Sequence, residues 1–315
     1  MSTFLARRVV ALMAALLAAS LVVFVVLEVL PGDPALVMLG LEAQPDTLAA
    51  LRSQLGLDRP AHLRYLAWVA GLVRGDLGLS YTYSVPVAEL VAERLTVTLP
   101  LAALALALTV LVALPLGLFA AAHHNRLGDW GVMAFSQLGI AVPNFWLAIL
   151  LILVFAVWLG WFPAGGFPGW REGAWPALRA LLLPALALAV AQAAILARVT
   201  RAAVLEVMRE DFVRTAQAKG VSRRRVLWRH VLRNAMIPVV TIMGLQASFL
   251  VAGAVIVENV FYLPGLGRLV VQAIAQRDLI VVKNIVVLLS GLVVVVNFLV
   301  DLCYSAIDPR IELKR

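Results

Sequence analysis

The sequence predicts an all-α integral membrane protein of six spans with a helical extracytoplasmic insertion. Three observations carry this. First, of 315 residues 63% are hydrophobic and 14% charged, with mean hydropathy +0.97. A soluble domain is about 45–50% apolar and about 25% charged, so lipid must cover this surface. Second, six apolar stretches, about 9–30, 96–122, 131–160, 177–200, 237–258 and 280–303, are long enough to span. A bilayer core of about 30 Å needs roughly 20 apolar residues as a helix. Helices suit because each satisfies its own backbone hydrogen bonds in lipid. Third, Lys and Arg are distributed unevenly among the loops.

Arg7 and Arg8 precede the first stretch. Residues 201–236 are rich in arginine, and Arg310, Lys314 and Arg315 lie in the tail. The loops 161–176 and 259–279 are poor in Lys and Arg. Six spans bring all the rich segments to one side, which is cytoplasmic by the positive-inside rule. Both termini and the turn HHNRLGD (123–129) then lie inside, with 31–95 outside. The organisation is a tail and first helix (1–30), an insertion (31–95), a five-helix core (96–307) with cytoplasmic loop 201–236, and a tail (308–315).

The N-terminus has the charged start and apolar run of a signal peptide. Its run continues to Leu30, long enough for a retained first helix. Pro100, Pro115, Pro143 and Pro184 fall inside spans, where proline removes a hydrogen bond and kinks a helix. In the insertion, Asp46–Gly56 reads as one short helix. Asp58–Gly75 reads as another, with Asp58 as N-cap and Leu63, Leu66, Ala67, Ala70 and Val73 at helical spacing. The insertion is too poor in apolar residues for its own core.

The net charge of +8 is explained by membrane topology rather than nucleic acid. Cys303 lies in an apolar run and has no second cysteine to pair with. No GxxxxGK[ST] phosphate loop, HExxH pattern or internal repeat occurs. His123 and His124 read as a solvated turn, and His62 and His230 as surface residues. Glu28, Glu258 and Asp301 sit near span ends, which fits pairing or an interfacial position better than a proton relay.

The cytoplasmic stretch DFVRTAQAKGVSRRRVLWRHVLRNAMIP (211–238) is the most informative. Phe212, Ala216 and Lys219 share one face of a short helix, with Val213 beside it. Gly220 ends the helix, since glycine accepts a left-handed conformation at little cost. Ser222 is positioned to N-cap a second helix that starts at the arginines. Such a surface suits docking in a partner's groove, and equally a topogenic loop that touches anionic lipid.

This loop resembles the coupling loop, or EAA motif, of ABC-type importer permeases, and most closely the dipeptide/oligopeptide/nickel branch. Arg214-Thr215-Ala216 stand where many relatives have Glu-Ala-Ala, and Gly220 is the motif glycine. LPGDPA (30–35), GDLGLSYTYSVPVAELVAERLTVTLPLA (75–102), PNFWLAILLILVFAVWLGWFPAGG (143–166), ENVFYLPGLGRLVVQAIAQRD (258–278) and VDLCYSAIDPR (300–310) resemble the same branch, in its order. Leu279-Ile280 depart from the aromatic residue and proline expected there.

The resemblance implies the six-helix type I importer transmembrane domain, and the first of two permease subunits. It implies a second homologous permease, two cytosolic ATPases that bind ATP and Mg, and an extracytoplasmic substrate-binding protein. The chain itself would hold no cofactor or metal and catalyse no reaction. The setting is the cytoplasmic (inner) membrane of a bacterium or archaeon. The implied ATPase-coupling residues are Asp211, Phe212, Thr215, Ala216, Lys219, Gly220 and Ser222. Arg223, Arg224 and Arg225 are assigned to an elbow at the membrane surface. The helices around 96–122, 131–160, 177–200 and 237–258 would line the path for a peptide. A nickel or other small-solute permease is the alternative within the family. An ion-coupled secondary transporter, an intramembrane enzyme and an assembly subunit are the alternatives outside it.

Overall fold

A computed structural model describes residues 2–29, 34–39, 44–54 and 56–307. Among these, five helices are long and apolar enough to cross a membrane, or six if one bent pair makes a single span. In order the helices are α1 (Ser2–Val29), α2 (Pro34–Leu39), α3 (Pro45–Gln54), α4 (Ala61–Arg74), α5 (Val87–Ala122), α6 (Leu127–Ala141), α7 (Asn144–Leu151), α8 (Ala174–Val207), α9 (Asp211–Ala218), α10 (Arg223–Val226), α11 (Leu232–Val260), α12 (Leu266–Ala275) and α13 (Leu279–Ile307). Leu30, the LPGD stretch and the tail from 308 lie outside the described residues.

The sequence expectations differ from this at several places, among them the loop expected over 259–279, which holds α12, and the insertion, which also holds α2. The span expected over 131–160 is two helices, α6 and α7 with its continuation to Trp158, meeting at 101°. The cause is Pro143. A residue before proline is pushed out of the helical region, and Val142 is extended (φ −85°, ψ 121°). Secondly, α5 begins at Val87 rather than at 96, because the amphipathic run VAELVAERL continues the helix beyond its lipid-length part. Thirdly, α4 is capped by Pro60, not by Asp58; its stop at Gly75, φ +78°, is as expected. Finally, Leu227–Val231 forms a π turn before α11, which periodicity did not signal.

Leu99–Leu263, with residues 296–307, form one compact unit. Its centre is α8, whose alanine-rich sequence presents small side chains. Helices α6, α7 and α11 pack on it. Small residues let helices approach closely where lipid supplies no hydrophobic drive. Thus Gly139 faces Ala194, and Gly253 faces Leu188. Gln246 Nε2 donates to the Gln192 carbonyl over 2.8 Å. A Cβ on Gly117 would lie 2.6 Å from Thr200 Cβ and 2.7 Å from the Ala197 carbonyl oxygen. Gly117→Val is therefore expected to force α5 from α8 and cost roughly 1–3 kcal/mol, read as a lower thermal midpoint in detergent. An unchanged midpoint would deny this contact. In the loop after α7, Gly166 N–H donates to the Phe261 carbonyl over 2.8 Å. Gly165 has no room for a Cβ beside that oxygen.

Residues 2–98 with 264–295 form the other unit. Here α4 lies along α1, with the rings of Phe24, Tyr65 and Trp68 in mutual contact. Trp68 Nε1 donates to Asn284 Oδ1 over 2.9 Å, and Asn284 Nδ2 donates to the Leu77 carbonyl over 2.7 Å. Buried Asp278 accepts from Ser80 Oγ (2.5 Å) and Thr82 N–H (3.0 Å) through Oδ2. Its Oδ1 accepts from Val281 N–H at the start of α13. The insertion is thus pinned to the last span by buried hydrogen bonds rather than by an apolar core of its own.

Candidate functional site

The candidate site is the polar elbow between α8 and α11. Helix α8 ends at Val207, and the chain turns through Met208 to Glu210, which is extended (φ −68°, ψ 147°) and N-caps α9. Asp211 in the first turn favours the positive end of the helix. Thr215 Oγ1 donates to the Asp211 carbonyl (2.9 Å). Arg214 pairs with Asp211 across one turn at 3.4 Å, both exposed, a contact worth less than about 1 kcal/mol.

Helix α9 has two unlike faces. Val213 is buried in a cluster with Val226, Val231, Ala235, Val204 and Ala121. Ala216, half-buried, packs against that cluster. Asp211, Phe212, Thr215 and Lys219 are exposed. The shared face read from the sequence is therefore divided: Ala216 turns inward with Val213, while Phe212 and Lys219 stay outward. The helix stands on its own apolar footing and presents a polar surface with one exposed aromatic ring.

Its end is a left-handed cap. Gly220 has φ +80°, its N–H donates to the Gln217 carbonyl (2.9 Å), and Val221 N–H donates to the Ala216 carbonyl (3.2 Å). These paired bonds, with Val221 and Ala216 on the same cluster, make a Schellman motif. Ser222 precedes α10 and its carbonyl accepts Val226 N–H. Arg225 is exposed; the side chains of Arg223 and Arg224 lie outside the described residues. A cavity of about 30 Å³ is lined by Met208, Val213, Gln217 and Val231.

A second feature of this unit escaped the sequence reading. Asp129, buried in the first turn of α6, is gripped by Arg201 of α8. Nε lies 2.5 Å from Oδ1 and the second guanidinium nitrogen 2.7 Å from Oδ2. Asn125 N–H donates to Oδ2 (3.0 Å). His124 Nδ1 lies 3.2 Å from the carboxylate and 3.1 Å from Arg201, so His124, exposed in its turn as the sequence leads one to expect, also joins this network. The bidentate fork fixes distance and angle together. It ties the HHNRLGD turn to the helix that leads into α9. The signal was a lone aspartate in the first turn of a helix among basic residues. Elsewhere Glu28 pairs with Arg64 of the insertion, and Glu258 is fully buried. The Asp301 side chain lies outside the described residues.

The family described as binding-protein-dependent transport system inner membrane component matches residues 113–313. Residues 1–102 match the N-terminal membrane component of the same systems. The chain is 44% identical over 312 residues to a Brucella suis protein named as a candidate peptide transport system permease, covering 99% of each. It is 41% identical over 314 residues to the glutathione transport system permease protein GsiC of Escherichia coli, covering 100% of each. Its fold is similar to a chain of the MetNI methionine ABC transporter in inward-facing conformations. That match has TM-score 0.58 and 20% identity, over 70% of this chain and 96% of the other. ABC importers of this kind work with ATPase and binding-protein partners, and their permeases are non-catalytic multi-pass membrane components. The chain belongs to the binding-protein-dependent transport system inner membrane components, as a permease of a bacterial ABC importer that carries the additional N-terminal family segment.

Proposed function

We propose that this chain is the first of two homologous permeases in an importer for di- or oligopeptides, glutathione-like tripeptides included. Two ATPase subunits hold the ATP and Mg, and an extracytoplasmic protein delivers the substrate. The chain sits in the cytoplasmic membrane with both termini inside. The carrying observation is α9: a short helix with a buried valine footing, a rigid glycine cap and an exposed outer face. Asp211, Phe212, Thr215 and Lys219 dock in a groove of an ATPase, Gly220 and Ser222 set the exit angle, and Ala216 transmits force to the cluster beneath. Arg223, Arg224 and Arg225 lie against the membrane surface. ATP closure shifts the permease pair only because the ATPase dimer binds the two states differently. The names of the Brucella and Escherichia relatives support a peptide substrate.

The test is reconstitution of the complete importer in proteoliposomes with labelled dipeptide, tripeptide, glutathione and nickel. ATP-dependent peptide uptake that requires the binding protein is expected. Uptake driven by an ion gradient without ATP would sink this reading in favour of a secondary carrier. ATP-driven uptake of nickel alone would move the substrate to the alternative class.

A further inference from the structure

A cavity of about 550 Å³ opens in the unit formed by residues 2–98 and 264–295, between the end of α1, the insertion and the start of α13. Its lining carries three cations, Arg59, Arg64 and Lys283, against two carboxylates, Glu28 and Asp76. Glu28 is engaged by Arg64, and Asp76 Oδ1 accepts Gly78 N–H (2.9 Å). Arg64 Nε is buried with no hydrogen-bond partner among the described residues. The Lys283 ammonium stands 5.0 Å from the centre of the Trp68 ring. Neither Lys283 nor Arg59 has a carboxylate partner among the described residues. The lining therefore carries one positive charge in excess.

The walls say where this charge sits. Leu21, Val22, Val25 and Val26 of α1 are exposed apolar residues, a surface suited to acyl chains. That run stops at Glu28, on the rim of the cavity. Phe24, Leu27, Trp68 and Tyr81 line it as well, with the Phe24 and Trp68 rings stacked. Amphipathic rings such as those of Trp and Tyr collect at the headgroup level of a bilayer. The volume is far larger than an inorganic anion needs, and is within the range of sites for small organic molecules.

We propose that this cavity is a binding site for the anionic headgroup of a phospholipid of the extracytoplasmic leaflet. Lys283, Arg59 and Arg64 hold the phosphate, and the apolar wall takes the glycerol and first methylenes. The site cements the insertion to α1 and α13. Burial, and then the Asp278 carboxylate, push the Tyr81 phenol up to about 12 against the pull of Arg64. Tyr81 is accordingly a hydrogen-bond donor at neutral pH.

The test titrates the purified importer in detergent with phosphatidylglycerol, phosphatidylcholine and inorganic phosphate, reading the thermal midpoint. Phosphatidylglycerol is expected to raise it at concentrations where the other two do nothing. Arg59→Gln and Lys283→Gln are each expected to weaken the apparent affinity about fivefold, with Lys283→Arg restoring it. Arg59 is exposed, so its variant tests the idea even if Lys283→Gln misfolds. An equal rise with phosphatidylcholine, or an unchanged phosphatidylglycerol response in Arg59→Gln and Lys283→Gln, overturns the proposal. An equal rise with inorganic phosphate overturns the lipid assignment and leaves a free-anion site.

Discussion

Gly220→Pro is expected to abolish ATP-driven uptake while the protein still inserts and associates with its partners. Proline fixes φ near −65°, whereas Gly220 sits at +80°. The substitution also deletes the N–H that the Gln217 carbonyl accepts. The cap must open, and the end of α9 loses the direction in which it leaves for α10. Gly220→Ala separates conformation from crowding, because a Cβ there meets nothing within 4 Å. Its cost is the left-handed strain alone, roughly 1–2 kcal/mol, and uptake slowed by no more than about tenfold is expected. Uptake in proteoliposomes, with co-purification as the control for assembly, reads both. Wild-type transport by the proline variant would remove α9 from the coupling path.

Asp129→Asn is expected to be the most damaging single change in the elbow region outside α9. It leaves Arg201, itself only 22% exposed, beside a neutral amide. Removing one partner of a buried pair costs about 3–5 kcal/mol; the partial exposure of Arg201 puts the value at the lower end, about 3 kcal/mol. The thermal midpoint should drop, and ATP hydrolysis should continue with less transport per ATP. Combining it with Arg201→Met should cost less than the sum of the two single changes, since each alone strands the other's partner. Strict additivity would mean that the pair does not act as a unit.

Much of the fold was legible because lipid imposes a length rule. The apolar runs that became α1, α5, α8, α11 and α13 were identified from composition alone. The helix α9 and its stop were legible because an amphipathic octet followed by glycine has one low-energy reading. Three features were not. The π turn at Leu227–Val231 follows no period. The inward turn of Ala216 depends on the cluster built by Val226, Val231 and Val204, which are distant in sequence from one another or on other helices. The Asp129–Arg201 fork joins residues 72 apart in sequence. In the sequence Arg201 reads with its neighbours as a topology signal, although one bidentate partner gives it a structural task.

The corner at Val142–Pro143 has a consequence for how the bundle meets its surroundings. Proline has no N–H to offer the Gly139 carbonyl, and the first N–H groups of α7 have no helical turn before them. Hydrocarbon tails cannot supply the missing partners. Pro143, Phe145 and Trp146 are nevertheless exposed on the isolated chain. Water or another polypeptide must therefore complete the hydrogen bonding of the corner, so this local kink calls for a polar neighbour beside an apolar flank.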